Sequence, residues 1–115
     1  MPIQSVVEVG CGNGLVLQYL SDRWPSVKSF VGIDIDAAVI QRNQEAFEDK
    51  RITFVRSDVV EWLNANAGPS TLLVTNGVVL ECFLKLEVDE LFGVLNAVKP
   101  SAVVLIETLG SRSAW

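Results

Sequence analysis

An apolar stretch, Val6-Val7-Glu8-Val9, runs directly into Gly10-Cys11-Gly12-Asn13-Gly14 and from there into a segment of helical period. Few backbones are compatible with that arrangement. Three glycines at alternate positions mark a chain that must enter the left-handed region or let another group approach where a Cβ would stand. A helix that starts directly behind such a turn offers unpaired N–H groups in its first turn. The segment therefore reads as a strand, a ligand-binding loop and a helix. A tight strand-to-helix turn with no ligand would also use glycine.

The rest of the chain repeats the strand-then-helix alternation, which predicts an α/β fold with a parallel sheet. Five short runs rich in Val and Ile are expected as strands: Ser5 to Val9, Ser29 to Ile33, Ile52 to Val55, Thr71 to Thr75 and Ala102 to Glu107. Several are apolar on both faces, as strands covered by helices on each side should be. Between them, Gly14 to Trp24 spaces Val16, Leu20 and Trp24 four apart before Pro25, and Ile40 and Phe47 lie seven apart in the next helix. A short helix is expected over Val59 to Asn64 with Asp58 at its entrance, and a longer one over about Leu86 to Val98, ending at Lys99-Pro100. With 115 residues and no repeat or linker, residues 1–115 are expected to form one domain.

Composition narrows the function. Nine basic and 14 acidic residues leave a net charge of −5 with no basic cluster, which argues against nucleic acid as a partner. No apolar run approaches the roughly 20 residues that span a bilayer, and Met1-Pro2-Ile3-Gln4 has no basic n-region, so neither a membrane span nor a signal peptide is expected. Cys11 and Cys82 are too few for a disulfide framework or a zinc-ligand set, which fits a cytoplasmic setting. The absence of histidine removes the commonest general base and the Ser-His and Cys-His nucleophile pairs. Chemistry must then come from a cofactor, from carboxylates or from positioning.

The glycine spacing separates two cofactor classes. A dinucleotide fingerprint needs G-x-G-x-x-G, and counting from Gly10 puts Leu15 where its third glycine belongs, which demotes NAD. With Glu8 two residues before Gly10, the loop instead resembles the E/D-x-G-x-G-x-G motif of the class I, Rossmann-like S-adenosylmethionine-dependent methyltransferases. The likeness extends through Val31-Gly32-Ile33-Asp34-Ile35-Asp36, similar to the family's second strand, which implies that Asp34 receives the cofactor's ribose hydroxyls beside Ile35. A carboxylate can accept two hydroxyl donors at once, which suits that role. Asp36 is the better helix cap of the two acids. Ser57-Asp58-Val59 resembles the exit of the third strand, implying that Asp58 accepts from the adenine amino group and that the Val59 amide faces a ring nitrogen; a capping Asp58 would look the same in sequence. Leu72-Leu73-Val74-Thr75-Asn76-Gly77 resembles the fourth strand, implying that Asn76 lies beside the methionine moiety.

The resemblance thus implies a cofactor set of Glu8, Gly10, Cys11, Gly12, Asn13, Gly14, Asp34, Ile35, Asp58, Val59 and Asn76, with S-adenosyl-L-methionine as cofactor and no metal. Cys11 is expected as a small residue that leaves room, not a nucleophile. Asn76 has no Pro-Pro-aromatic run behind it, which disfavours a nucleobase amino group as acceptor. The implied activity is methyl transfer to a small-molecule oxygen or nitrogen; the alternatives are a non-catalytic cofactor- or partner-binding module and, more remotely, an NAD-binding domain. Glu81 and Glu107 are carboxylates without an assigned role, Trp62 and Phe83 would line a pocket or the core, and Arg56, Lys28 and Lys50 are expected to face solvent. The implied strand order is 3-2-1-4-5, with the family's sixth and seventh strands missing. Ala102 to Ile106 would then form an uncharged open edge, to be covered by a homodimer or a partner chain.

Overall fold

The computed structural model describes residues 3–66, 68–77 and 102–107. In chain order the elements are β1 (Ser5–Val9), α1 (Leu15–Arg23), β2 (Ser29–Asp34), α2 (Ala37–Ala46), β3 (Ile52–Arg56), α3 (Val59–Asn66), β4 (Thr71–Gly77) and β5 (Ala102–Glu107). The five strands form one sheet in the order β3-β2-β1-β4-β5, and every pairing is parallel. The expected Rossmann-like architecture and its strand order are both present.

The direction of travel explains where the helices lie. From β1 the chain steps outward to β2 and β3, then returns past β1 to β4. Parallel crossovers are right-handed, so reversing direction moves the connecting helix to the opposite face. Accordingly Leu17 of α1 and Ile40 of α2 pack with Val6, Phe30, Phe54 and Val74 on one face. Val59 and Leu63 of α3 pack with Val7, Val9, Val31, Ile33 and Leu73 on the other. Adjacent residues of β1 thus enter different cores, which is why that strand reads as apolar throughout.

Several details differ from the sequence reading. On α1 the deepest side chains are Leu17 and Ser21, with Val16, Leu20 and Trp24 packed only partly against the same cluster. Phe47 is not a helical core position; it ends α2 in an extended conformation, and its ring meets Phe54 edge-on at 4.8 Å. α3 runs two residues past Asn64, to Asn66, and β4 runs to Gly77. The helix expected from Leu86 to Val98, the Lys99-Pro100 turn, Glu81, Cys82 and Phe83 lie outside the described residues.

A half-buried polar staple joins α1 to the sheet. The Arg51 guanidinium, paired with Asp49 at 3.0 Å, donates to the carbonyls of Ser21, Trp24 and Val27 at 3.0–3.4 Å. It satisfies acceptors that a helix C-terminus leaves without partners.

Gly32, in the middle of β2, lets the glycine loop come down onto the sheet. A Cβ there would stand 2.9 Å from Cys11 Cβ and Sγ and from Phe54 Cδ1, so two neighbours would have to move. Gly32→Ala is therefore expected to lower stability by about 1–3 kcal/mol, the cost of overpacking a filled core. Urea unfolding of the two proteins measures it, and equal midpoints would show that Cys11 yields freely.

Candidate functional site

Register places the strand ends before any side chain does. Val9 pairs with Ile33 and with Thr75, Ile33 with Val55, and Thr75 with Leu105, so one row crosses the whole sheet. One step further along each strand come Gly10, Asp34, Arg56 and Asn76. The sequence-predicted residues Gly10, Asp34 and Asn76 therefore share one edge, the carboxyl end of a parallel sheet, beside the point between β1 and β4 where strand order reverses. Asn76 is placed by its backbone, opposite Ile106.

The loop after β1 is bound at nearly every peptide. Gly10, Gly12 and Gly14 all have positive φ, at 68°, 53° and 78°. The amides of Gly10 and Cys11 both donate to the Ile33 carbonyl, at 2.8 and 3.1 Å, and Gly14 N donates to Cys11 O at 3.0 Å. Asn13 Oδ1 accepts from Leu15 N at 3.2 Å, satisfying an amide of the first turn of α1. Gly12 itself is half-buried, and a Cβ built on it would meet none of the described atoms within 4 Å, so the space in front of this backbone is open.

Asp34 is tied to this loop as well as to its own turn. Its Oδ2 accepts from Gly12 N at 3.3 Å and its Oδ1 from Asp36 N at 3.0 Å. Asp36, as the sequence suggested, caps α2, with Oδ1 accepting from Ala38 N and Val39 N. Beside Asp34, the Ile35 side chain is 73% exposed, and Arg56 Nε holds its carbonyl at 3.0 Å. Arg56 therefore faces solvent, as expected, yet braces the tip of β2. Asp58 does act as a cap, its Oδ1 accepting from Glu61 N at 3.1 Å. Val59 buries its side chain under α3, and as the first helical residue its N–H has no carbonyl one turn back. Trp62 packs against the α3 core, on the far side of the sheet from α1 and α2.

Glu8 is the electrostatic anomaly. It is 2% exposed, on the same face of β1 as Val6, and among the described residues Oε1 has no hydrogen-bond partner. Burial raises its carboxyl from 4.5 to about 7. Cys11 is buried beside it, and desolvation together with the charges of Asp34 and Glu8 pushes the thiol up to about 12. A thiol pushed up in this way is protonated at neutral pH, and the thiolate is the nucleophilic form.

The sequence reading missed three residues that shape the loop. Asn43, 2% exposed on α2, donates from Nδ2 to Gly12 O at 2.6 Å. Gly32 makes room for Cys11, and Arg56 fixes the Ile35 carbonyl. The one available signal was Asn43 itself, a polar residue three positions after Ile40 and thus on the buried face of an amphipathic helix.

The sequence from residue 6 to residue 100 matches the methyltransferase domain family. The chain belongs to that family. Among the relatives of this methyltransferase domain, an uncharacterized methyltransferase of Mycobacterium tuberculosis (strain ATCC 25618 / H37Rv) is 38% identical over 65 residues, covering 56% of this chain and 32% of the relative. A trans-aconitate 2-methyltransferase of Afipia carboxidovorans is 32% identical over 60 residues, covering 52% and 22%. A malonyl-acyl-carrier-protein O-methyltransferase of Acetivibrio thermocellus is 27% identical over 109 residues, covering 91% and 35%. The matched segment thus spans about a third or less of each relative's length. In fold, the methyltransferase domain is similar to the plantazolicin methyltransferase BpumL crystallised with S-adenosylhomocysteine, with a TM-score of 0.68 at 18% identity over 93% of this chain and 39% of that one. Among the described residues no helix is long and apolar enough to cross a membrane.

The raised Glu8 carboxyl has a consequence for stability. Below about pH 4.5 it is protonated whether the chain is folded or not. Between about 4.5 and 7 the unfolded chain releases the proton and the folded chain keeps it, so stability falls as pH rises, by on the order of 3 kcal/mol above pH 7. Glu8→Gln removes this dependence. Urea unfolding from pH 4 to pH 8 should show the variant gaining on the natural protein between about pH 4.5 and 7 and holding that gain above; parallel curves would mean that Glu8 ionises freely when folded.

Proposed function

We propose that this methyltransferase domain binds S-adenosylmethionine across the carboxyl edge of its sheet and transfers the methyl group to a small-molecule oxygen or nitrogen. The observation that carries the reading is the loop at Gly12: an open, left-handed glycine joined to Asp34, with an unpartnered Glu8 oxygen buried beneath the same loop. Those features suit a ligand with hydroxyl donors and a cationic amine, which this cofactor has. They leave a plain strand-to-helix turn with a costly buried acid and nothing to offset it.

Each oxygen of Asp34 accepts one backbone amide and keeps a further lone pair, so the carboxylate receives the two ribose hydroxyls while still holding the loop. Glu8 receives the ammonium of the methionine moiety, which favours its ionised form and reverses the effect of burial. Gly10, Cys11, Gly12, Asn13 and Gly14 bring backbone close to that moiety without a Cβ in the way at Gly12. Ile35 supplies apolar surface for the adenine, Asp58 keeps one oxygen for its amino group, and the Val59 amide faces a ring nitrogen. Asn76, at the end of β4, lies nearest the methyl group. The cofactor brings an already activated methyl on a sulfonium, so orientation and exclusion of water are what these residues must provide, and no histidine is needed.

The family relatives named for trans-aconitate and for a malonyl O-methyl transfer support a carboxylic-acid oxygen as the acceptor class. The net charge of −5 supports a small molecule over nucleic acid. Residues 1–115 serve as one cytoplasmic domain, and a second copy or a partner chain covers the edge of β5.

Calorimetric titration with S-adenosylhomocysteine, with NAD as control, tests the reading. Saturable binding of the first alone is expected, and Asp34→Ala should weaken it by about 1.5–3 kcal/mol, the range for hydrogen bonds to a charged group. A well-folded chain that binds neither ligand, or NAD in preference, would overturn it.

A further inference from the structure

We infer that Asn43, on α2 and outside every cofactor motif, is a positioning residue that sets the orientation of the Gly12–Asn13 peptide and so the affinity of the loop for its ligand. The inference rests on the proposed cofactor reading for its ligand, and on geometry alone for its mechanism.

At Gly12 the loop backbone is held by hydrogen bonds and not by side-chain packing. Its φ of 53° is open to glycine, and a Cβ there would meet nothing within 4 Å. Left to itself, such a peptide samples both hands, because glycine lacks the steric preference that fixes other residues. Two side chains from different elements remove that freedom. Asp34 Oδ2 takes the Gly12 N–H at 3.3 Å, and Asn43 Nδ2 donates to the Gly12 carbonyl at 2.6 Å. The shorter of the two is made by a side chain that is itself 2% exposed, on a helix whose next inward residue toward the N-terminus, Ile40, sits in the core. Asn43 therefore cannot swing away without leaving its amide buried and unpartnered.

The peptide unit transmits this contact. A trans peptide is planar, with its C=O and the following N–H antiparallel, so drawing the Gly12 carbonyl toward α2 aims the Asn13 N–H away from it. Asn43 thereby fixes the direction of a loop donor that it never touches. Asp34 has a competing task, since its oxygens also receive the ligand's hydroxyls. Asn43 has none, which makes it the contact that holds the loop in both free and bound states. Preorganised donors bind more tightly because their ordering cost is met in folding.

The test compares Asn43→Leu, which keeps the branched outline with bulkier methyl tips and removes the donor, with Asn43→Ala, a good helix former that removes donor and volume together. Ser21→Ala is the control: Ser21 is equally buried, but its hydroxyl bonds only to Gln18 O within α1. Two readouts are needed. Amide hydrogen exchange in the free protein should quicken about tenfold at Gly12, Gly14 and Leu15 in both Asn43 variants while Val6 to Val9 stay protected, the effect of losing one hydrogen bond. S-adenosylhomocysteine affinity should fall about tenfold in the same two variants and hold in Ser21→Ala. Unchanged exchange at the loop, or a loss of affinity as large in Ser21→Ala, would overturn the inference. If the natural protein itself does not bind the ligand, the cofactor reading falls, and the exchange data alone decide for or against the positioning role of Asn43.

Discussion

Everything at the candidate site depends on parallel strands being in step. Between β1 and β2 the register offset is 24 residues, Ser5 against Ser29 through Val9 against Ile33. That offset brings Gly10 level with Asp34 although a helix and a turn separate them in sequence. The loop amides can then reach the Ile33 carbonyl and the Asp34 carboxylate, and the helix that follows starts at the same edge. A slip of β2 by one residue would turn Asp34 to the other face and take its carboxylate away from the loop. The apolar alternation that fills two separate cores is what holds the register, so the site inherits its geometry from packing several residues away.

The same packing makes the site costly. Glu8 occupies a position that Val6 fills with apolar surface one pleat earlier, and its carboxyl has an oxygen with no partner. An acid in that setting destabilises the free protein at neutral pH and is worth keeping only if something cationic answers it. Buried polar atoms are nearly always satisfied in folded proteins, so an exception beneath a glycine loop points to a ligand more strongly than the loop does.

Much of this was legible in the residues. The Val and Ile runs located all five strands, with β1 and β5 at the expected bounds, because strands buried on both faces have few alternatives to β-branched and aliphatic side chains. Asp36 read correctly as the cap of α2 because an N-cap needs only a local side-chain acceptor. The readings that slipped were those that depended on which side of an element faces what. The spacing of Val16, Leu20 and Trp24 marked a real apolar stripe, yet α1 seats Leu17 and Ser21 deepest. Phe47 keeps helical spacing from Ile40 but leaves the helix to meet Phe54. Asn43 and Arg56 stood in no motif, and Gly32 stood in the second-strand motif without a role of its own, since each acts on a residue more than 20 positions away.

The chain by itself therefore determined the alternation of strands and helices, the left-handed glycine turn, the caps, and membership of a methyltransferase family. These are short-range properties, set by steric preference and by periodicity within a few residues. Only the tertiary structure decided that Asp34 holds the Gly12 N–H, that Asn43 holds the carbonyl of the same residue in the next peptide, and that one Glu8 oxygen is buried with no partner among the described residues. Those facts depend on distances between elements, and such distances come from register and core packing, which no local pattern of residues specifies.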